Sequence, residues 1–158
     1  MHTGVICNIV SYMKKDSRLS TVLHILLHMR LSTKSMTSGQ LAHCVATNPV
    51  VIRRLMGLLR QAQLVTSLPG HGGGWTLTAQ LNDVTLRQLH DILGEPAIFA
   101  IGNRHERPEC LIEQAVNAAL GEAFNEAEAL LLAYFGRITL SDLFADAIQR
   151  NQGAQHAI

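Results

Sequence analysis

From Ser17 to Met29, apolar residues include those at positions 19, 22, 23, 26, 27 and 29. That spacing is close to the helical period and leaves a wide apolar face, so it predicts an amphipathic helix. Asp16 or Ser17 is placed to cap its start. Thr37-Ser38-Gly39-Gln40 announces a second helix. It reads as a capping box, in which the threonine hydroxyl accepts from the backbone three residues on and the glutamine reaches back. Met36 and Leu41 flank the box as a hydrophobic staple, and the helix is expected to run through Leu41, Ala42, Val45 and Ala46. Asn48-Pro49 opens a third helix, because asparagine is a favoured N-cap and proline at the first helical position forfeits no needed hydrogen bond. Its apolar positions are Ile52, Leu55, Met56 and Leu59, and Arg53, Arg54, Arg60 and Gln61 point elsewhere. A short helix closely followed by a second one with an arginine-bearing face is a helix-turn-helix pattern.

After Ala62 the period changes. Leu64 to Leu68 alternates like a strand, a glycine-rich run follows, and Trp75 to Thr78 alternates again. Two short strands around such a tip predict a β-hairpin, which directly after a helix-turn-helix is a wing. Trp75 is expected to anchor the hairpin on the helices. The glycines do not make a phosphate loop, which needs lysine and serine or threonine after its last glycine; Trp75 and Thr76 stand there. A dinucleotide fingerprint would need a third glycine where Trp75 lies, and both motifs need a helix after the run.

Two more capping signals follow, Thr85…Gln88 with Val84 and Leu89, and Thr139…Asp142 with Ile138 and Leu143. Each predicts a short helix. Between them Ile112, Val116, Leu120, Ala123, Ala127, Leu130 and Tyr134 recur every three or four residues, predicting one long helix from about Cys110 to Phe135. Ala115, Ala119 and Ala123 would let a neighbour approach closely. A helix of that length overhangs so small a domain, so its expected partner is its copy in a two-fold homodimer. Packing within the chain is the alternative. The fold class is therefore mainly α with a small β-hairpin: a winged helix-turn-helix domain plus a long dimerisation helix. Residues 1–13 are expected to be a leader of no assigned function. Residues 14–80 form the winged helix-turn-helix domain, 81–109 a linker helix and sensor loop, and 110–150 the long dimerisation helix and C-terminal helix.

The 158 residues suffice for one domain with a core. The net charge of +1 hides an asymmetry. Lys14 to Gln80 carries eight bases and one acid, whereas Leu81 to Ile158 carries five arginines and eleven acids. A basic half joined to an acidic half suggests that one face meets a polyanion, the bland alternative being chance segregation of surface charge. No apolar run approaches the ~20 residues that span a membrane, so no membrane partner is expected. Cys7, Cys44 and Cys110, an odd number, argue for a reducing compartment. No nucleophile–base pair, metal triad or phosphate loop points to an enzyme, and no catalytic residue is assigned.

The succession "SRLSTVLHILLHM", "SGQLAHCVATNPVVIRRLMGLLRQAQLV", "GHGGGWTLT", "VTLRQLHDIL" and "ITLSDLF" resembles the Rrf2 family of bacterial winged-helix transcription regulators. The resemblance covers roughly Lys14 to Gln149, and the glycine-rich wing after "NPVVIRRLM" is its most specific part. It implies a cytoplasmic homodimer that binds a partly palindromic double-stranded DNA operator and acts as a repressor. The start of the third helix would lie in the major groove and the wing tip in the minor groove. Carried onto this chain, Asn48, Val50, Val51, Arg53 and Arg54 would lie near DNA, with His71 and Gly72 at the wing tip. One arginine is expected to read a base, not both. Asn48 has a purely capping alternative. Family wings often place an arginine before the glycines; Pro69 stands there instead, leaving His71 as the ionisable group.

Cluster-binding members of the family hold an iron–sulfur centre with three cysteines between the post-wing helix and the long helix. The matching stretch, "GEPAIFAIGNRHERPEC", has Cys110 alone, and Glu113 stands where a histidine ligand follows. No cofactor is therefore expected, and a cluster would require unusual ligands from both subunits. Cys110 is instead a candidate redox sensor, near Arg104, His105 and Arg107, which would lower its pKa, and Glu106 and Glu109, which would oppose this. Its alternative is an inert cysteine at a helix start. Cys44 is a second candidate, with a core position as the preferred reading. His24 and His28 have metal-binding spacing, but with no further donor nearby the expectation is packing or exposure, and no metal. His105 with Cys110 is an equally weak pair. The leading expectation is a dimer whose loop from Gly94 to Cys110 changes the spacing of two recognition helices. The alternatives are a cluster-dependent sensor, a regulator gated by a partner protein, and a winged helix used only for protein interaction.

Overall fold

A computed structural model describes residues 17–32, 34–70, 72–95, 98–99 and 109–155. In chain order these form α1 (Arg18–Leu31), α2 (Ser38–Cys44), α3 (Pro49–Gln61), β1 (Val65–Leu68), β2 (Gly74–Leu77), a 3-10 turn (Ala79–Asp83), α4 (Leu86–Ile92), α5 (Leu111–Phe135) and α6 (Leu140–Gln155). The strands pair antiparallel, with Val65 opposite Leu77 and Leu68 opposite Gly74. The fold is a winged helix-turn-helix with further helices, as the hydrophobic pattern predicts. The chain divides into two compact units, one holding α1 to α4, the wing and α6, the other holding α5 up to Ala133.

The first unit contains the core. Val22, Ile25, Leu26 and Met29 of α1 meet Leu41 and Ala42 of α2 and Ile52, Leu55, Met56 and Leu59 of α3. Leu64, Val65, Leu81, Leu89, Leu93, Leu140 and Phe144 complete it. The α1 helix is tied to the end of α4 by Arg18, whose Nη1 donates to the Leu93 carbonyl at 2.9 Å. The starts of α4 and α6 are joined directly. Thr85 pairs with Thr139 in a single β-bridge, with Leu86 N–H donating to Ile138 O at 3.0 Å and Leu140 N–H to Val84 O at 2.8 Å. Two capping boxes thus lie side by side, each satisfying its own helix start.

Three helix features differ from the sequence-based expectation. Ser17 occupies the N-cap position of α1 but makes no capping bond with its side chain. The α2 helix stops at Cys44 rather than continuing through Ala46. Thr47 N–H reaches back to Ala42 O at 2.9 Å and Ala46 N–H to His43 O at 3.3 Å, the Schellman closure, with Ala46 left-handed at φ 49°. The usual signal for that closure is glycine, which is absent here. The same closure ends α3 at Gln63, φ 61°, through Leu64 N–H to Leu59 O at 2.9 Å. Lastly, α6 is not short: from its capping box it runs 16 residues, to Gln155, because no proline or closure motif interrupts it.

Within the second unit, α5 starts and ends where the periodicity places it and is 25 residues long, yet none of its side chains is buried. Phe124 packs against Phe99, ring centroids 6.2 Å apart.

Candidate nucleic-acid interface

The first turn of α3 is built by its cap. Asn48 Oδ1 accepts from Val50 N–H at 2.8 Å, Pro49 follows, and the helix starts with no acidic residue in its first turn. Burial of Ile52, Leu55, Met56 and Leu59 turns the rest of the helix outward. Val50 is 63% exposed and Val51 44%, and Arg53, Arg54 and Arg60 are exposed. At 100° per residue, Val50 and Arg54 lie opposite the buried stripe, one turn apart. Arg53 and Arg60 share one flank; Val51 and Leu58 share the other. Arg54 and Val51 also border a hollow of about 500 Å³ with Arg18, Leu55, Leu58, Leu93 and Gly94.

The wing is held by its own ladder and by a contact that the hydrophobic pattern does not reveal. Thr66 and Thr76 hydroxyls lie 2.7 Å apart across the strands. Trp75 donates from Nε1 to Ser38 Oγ at 3.0 Å, so the tryptophan anchors the hairpin on α2 as anticipated. In addition, Met36 and Trp75 exchange backbone hydrogen bonds of 3.1 and 2.8 Å, and Ser35 Oγ donates to Gly72 O at 2.8 Å. The α1–α2 loop therefore acts as a third rail for the wing. Only glycine fits at Gly74, where φ is 155° and a Cβ would come within 2.7 Å of Met36 O. Gly72 lies at the tip with φ 80°; His71 lies outside the described residues. The available signal for the third rail is the Ser/Thr-rich "STKSMTS" between two helices, with Lys34 inside it. Lys34, Ser35, Arg30 and Trp75 border a second notch of about 210 Å³ at the wing base, adding cations beside the hairpin. Arg30 also lies over the Phe144 ring, 5.7 Å from its centroid.

The two cysteine candidates have different settings. Cys44 is half-buried near the end of α2, and Cys110 is exposed immediately before α5. Backbone N–H groups of Glu113 and Ile112, donors in the first turn of the helix, hold the Cys110 thiol below its ordinary pKa. Arg104, His105, Glu106 and Arg107 lie outside the described residues.

A helix-turn-helix with a glycine-tipped wing and an arginine-bearing second helix defines a winged-helix regulator. The family model described as Rrf2, iron-dependent transcriptional regulator, matches residues 15–146, and the chain belongs to that family. YwnA of Bacillus subtilis (strain 168), which carries a provisional name as an HTH-type transcriptional regulator, is 29% identical over 129 residues, 81% of this chain and 95% of its own. A solved transcriptional regulator from Lactobacillus plantarum, likewise provisionally named, superposes with a TM-score of 0.69 at 26% identity, covering 89% of this chain and 96% of its own. T. potens IscR shares the fold at a TM-score of 0.58 and 16% identity, covering 87% of this chain and 90% of its own. Among the described residues no helix is long and apolar enough to cross a membrane.

The family description implies iron, and the donors present do not fit a cysteine-held cluster. Such a centre wants several thiolates together. Only Cys110 lies in the stretch between α4 and α5, and among the described residues no three metal-ligating side chains converge.

Proposed function

We propose that the protein is a homodimeric, sequence-specific DNA-binding repressor of the bacterial cytoplasm. The observation that carries this reading is the division of α3: one stripe wholly committed to the core, the opposite side presenting Val50 and Arg54 at the start of a capped helix. Arg54, in the outermost row, is the arginine that reads a base edge in the major groove, with Val50 and Val51 offering apolar contact to thymine methyl groups. Arg53, on the flank with Arg60, holds phosphate. Asn48 fixes the helix start. Gly72, with the neighbouring His71, forms the minor-groove tip, and Lys34 at the wing base adds a phosphate contact.

The exposed apolar residues Leu111, Ile112, Val116, Leu120, Leu130 and Tyr134 of α5 support the homodimer, since an apolar stripe of that extent is an interaction surface. Cys110 is the favoured redox sensor because its thiolate is stabilised and exposed; Cys44, half-buried, is the second. A peroxide would oxidise the Cys110 thiolate to a sulfenic acid, its other oxygen leaving as water, and the altered segment from Gly94 to Cys110 would change the spacing of the two recognition helices.

The test is fluorescence anisotropy of reduced protein with DNA from upstream of its own gene, against a shuffled duplex at physiological salt. Affinity at least ~10³-fold greater for the native duplex is expected. Equal, strongly salt-dependent binding to both would reduce the basic half to phosphate contacts and overturn sequence-specific recognition of that DNA.

A further inference from the structure

We propose a transition-metal site on α1, formed by His24 and His28. The two residues are one turn apart, and their Nε2 atoms lie 3.0 Å from each other. The rings are 4.8 Å apart at their centroids and inclined by 32°. Spacing alone leaves open whether the rings splay into solvent or converge; they converge, and through the nitrogens suited to a metal.

Only one hydrogen fits between two facing Nε2 atoms, so at least one of them presents a bare lone pair. A zinc ion bonded to both at 2.0–2.1 Å in tetrahedral geometry would set the nitrogens about 3.3 Å apart. The existing separation is therefore within a small ring rotation of a chelate; the metal takes the place of the shared hydrogen, which moves to Nδ1 of the same ring as that imidazole changes tautomer. His24 is exposed and His28 half-buried, so water reaches the open coordination positions. Val22, Ile25, Leu26 and Met29 bury the other side of α1, so binding leaves the core as it is.

Imidazole donors select zinc, copper and nickel over the hard cations magnesium and calcium. No third histidine, cysteine or carboxylate joins the pair among the described residues, which makes this an exchangeable two-ligand site, not a closed structural one. It is distinct from a thiolate-held cluster in donors and in its place in the fold, and it does not depend on the DNA-binding reading.

The test is isothermal titration calorimetry of the full chain with zinc, alongside long-range proton–nitrogen spectra of the imidazoles. In the wild type, zinc is expected to shift the Nε2 resonances of His24 and His28 together. His24→Ala and His28→Ala should each weaken the binding at least about tenfold, a loss of roughly 1.4 kcal/mol. Alanine is the better helix former, so circular dichroism of both variants should match the wild type. His43→Ala, on the exposed side of α2, should leave the isotherm unchanged. Identical isotherms for wild type and both α1 variants, or zinc-induced shifts confined to other histidines, would overturn the site.

Discussion

The α3 and α5 helices present nearly the same sequence pattern and opposite fates. Both repeat apolar residues every three or four positions. In α3 that stripe is wholly buried, from Ile52 to Leu59; in α5 Ile112 and Leu130 are 76% and 75% exposed and nothing is buried. Periodicity reports which side of a helix is apolar and is silent on what covers it. The sharpest way to break the comparison is to truncate both stripes. Leu59→Ala should destabilise the folded unit by about 2–5 kcal/mol in urea unfolding, independently of protein concentration. Val116→Glu with Leu120→Glu should instead shift sedimentation from dimer to monomer, because each burial forgone is worth about 1.5–3 kcal/mol and two-fold symmetry counts it twice. Concentration-independent destabilisation by the α5 pair, with no change in assembly, would mean that the α5 stripe is covered by its own chain.

A second contrast lies within α3, between the outer row and its flank. Arg54→Ala should cost about 1–3 kcal/mol on native operator and flatten the preference over a shuffled duplex. Arg53→Ala should weaken both duplexes alike and lower the slope of affinity against salt by about one contact. If the two variants exchange these signatures, the flank faces the bases and α3 sits in the groove rotated from the proposed orientation.

The helix starts give a third comparison. Thr85 and Thr139 cap α4 and α6 through identical bonds, each backbone N–H of the following turn donating to the threonine Oγ1 at 3.2 Å. Thr85→Ala should cost about 1 kcal/mol of stability, measured by urea unfolding. Thr139→Ala should cost a similar amount, and the two should add, since the β-bridge between the caps runs through backbone atoms.

Those caps are also the most legible part of the chain. Side-chain caps are local and need particular residues at fixed offsets, so Thr37, Asn48, Thr85 and Thr139 mark four helix starts through residue identity alone. Helix ends are less legible, because Ala46 and Gln63 adopt a left-handed conformation that sequence ordinarily signals with glycine. The wing is visible in its glycines, but its third rail is not. Met36 meets Trp75 through backbone atoms that carry no residue-specific mark. At the site, the exposed face of α3 follows from where its apolar residues fall. Which arginine stands outermost needs the phase of the helix, and that Cys110 faces the amides of a helix start needs the first residue of α5 to be placed.

The smallest expected effect is at that last position, where a helix start in the α5 unit does chemically what Thr85 does mechanically in the other. The Cys110 thiol meets the N–H groups of Glu113 first and Ile112 second, and both favour the thiolate. Its folded pKa is depressed, so any stability it contributes is present above the ordinary thiol value and is lost as pH falls through the lowered one. The thiol is exposed, and reactivity is the sensitive readout. Alkylation of Cys110 by iodoacetamide, followed by peptide mass spectrometry across pH, should show a midpoint below the ordinary cysteine value. Cys44, half-buried, should react more slowly throughout. Glu113→Gln keeps the backbone donor and should retain the lowered midpoint. A return to the ordinary value in that variant would assign the shift to the carboxylate side chain rather than to the helix amides, which its negative charge makes physically backward.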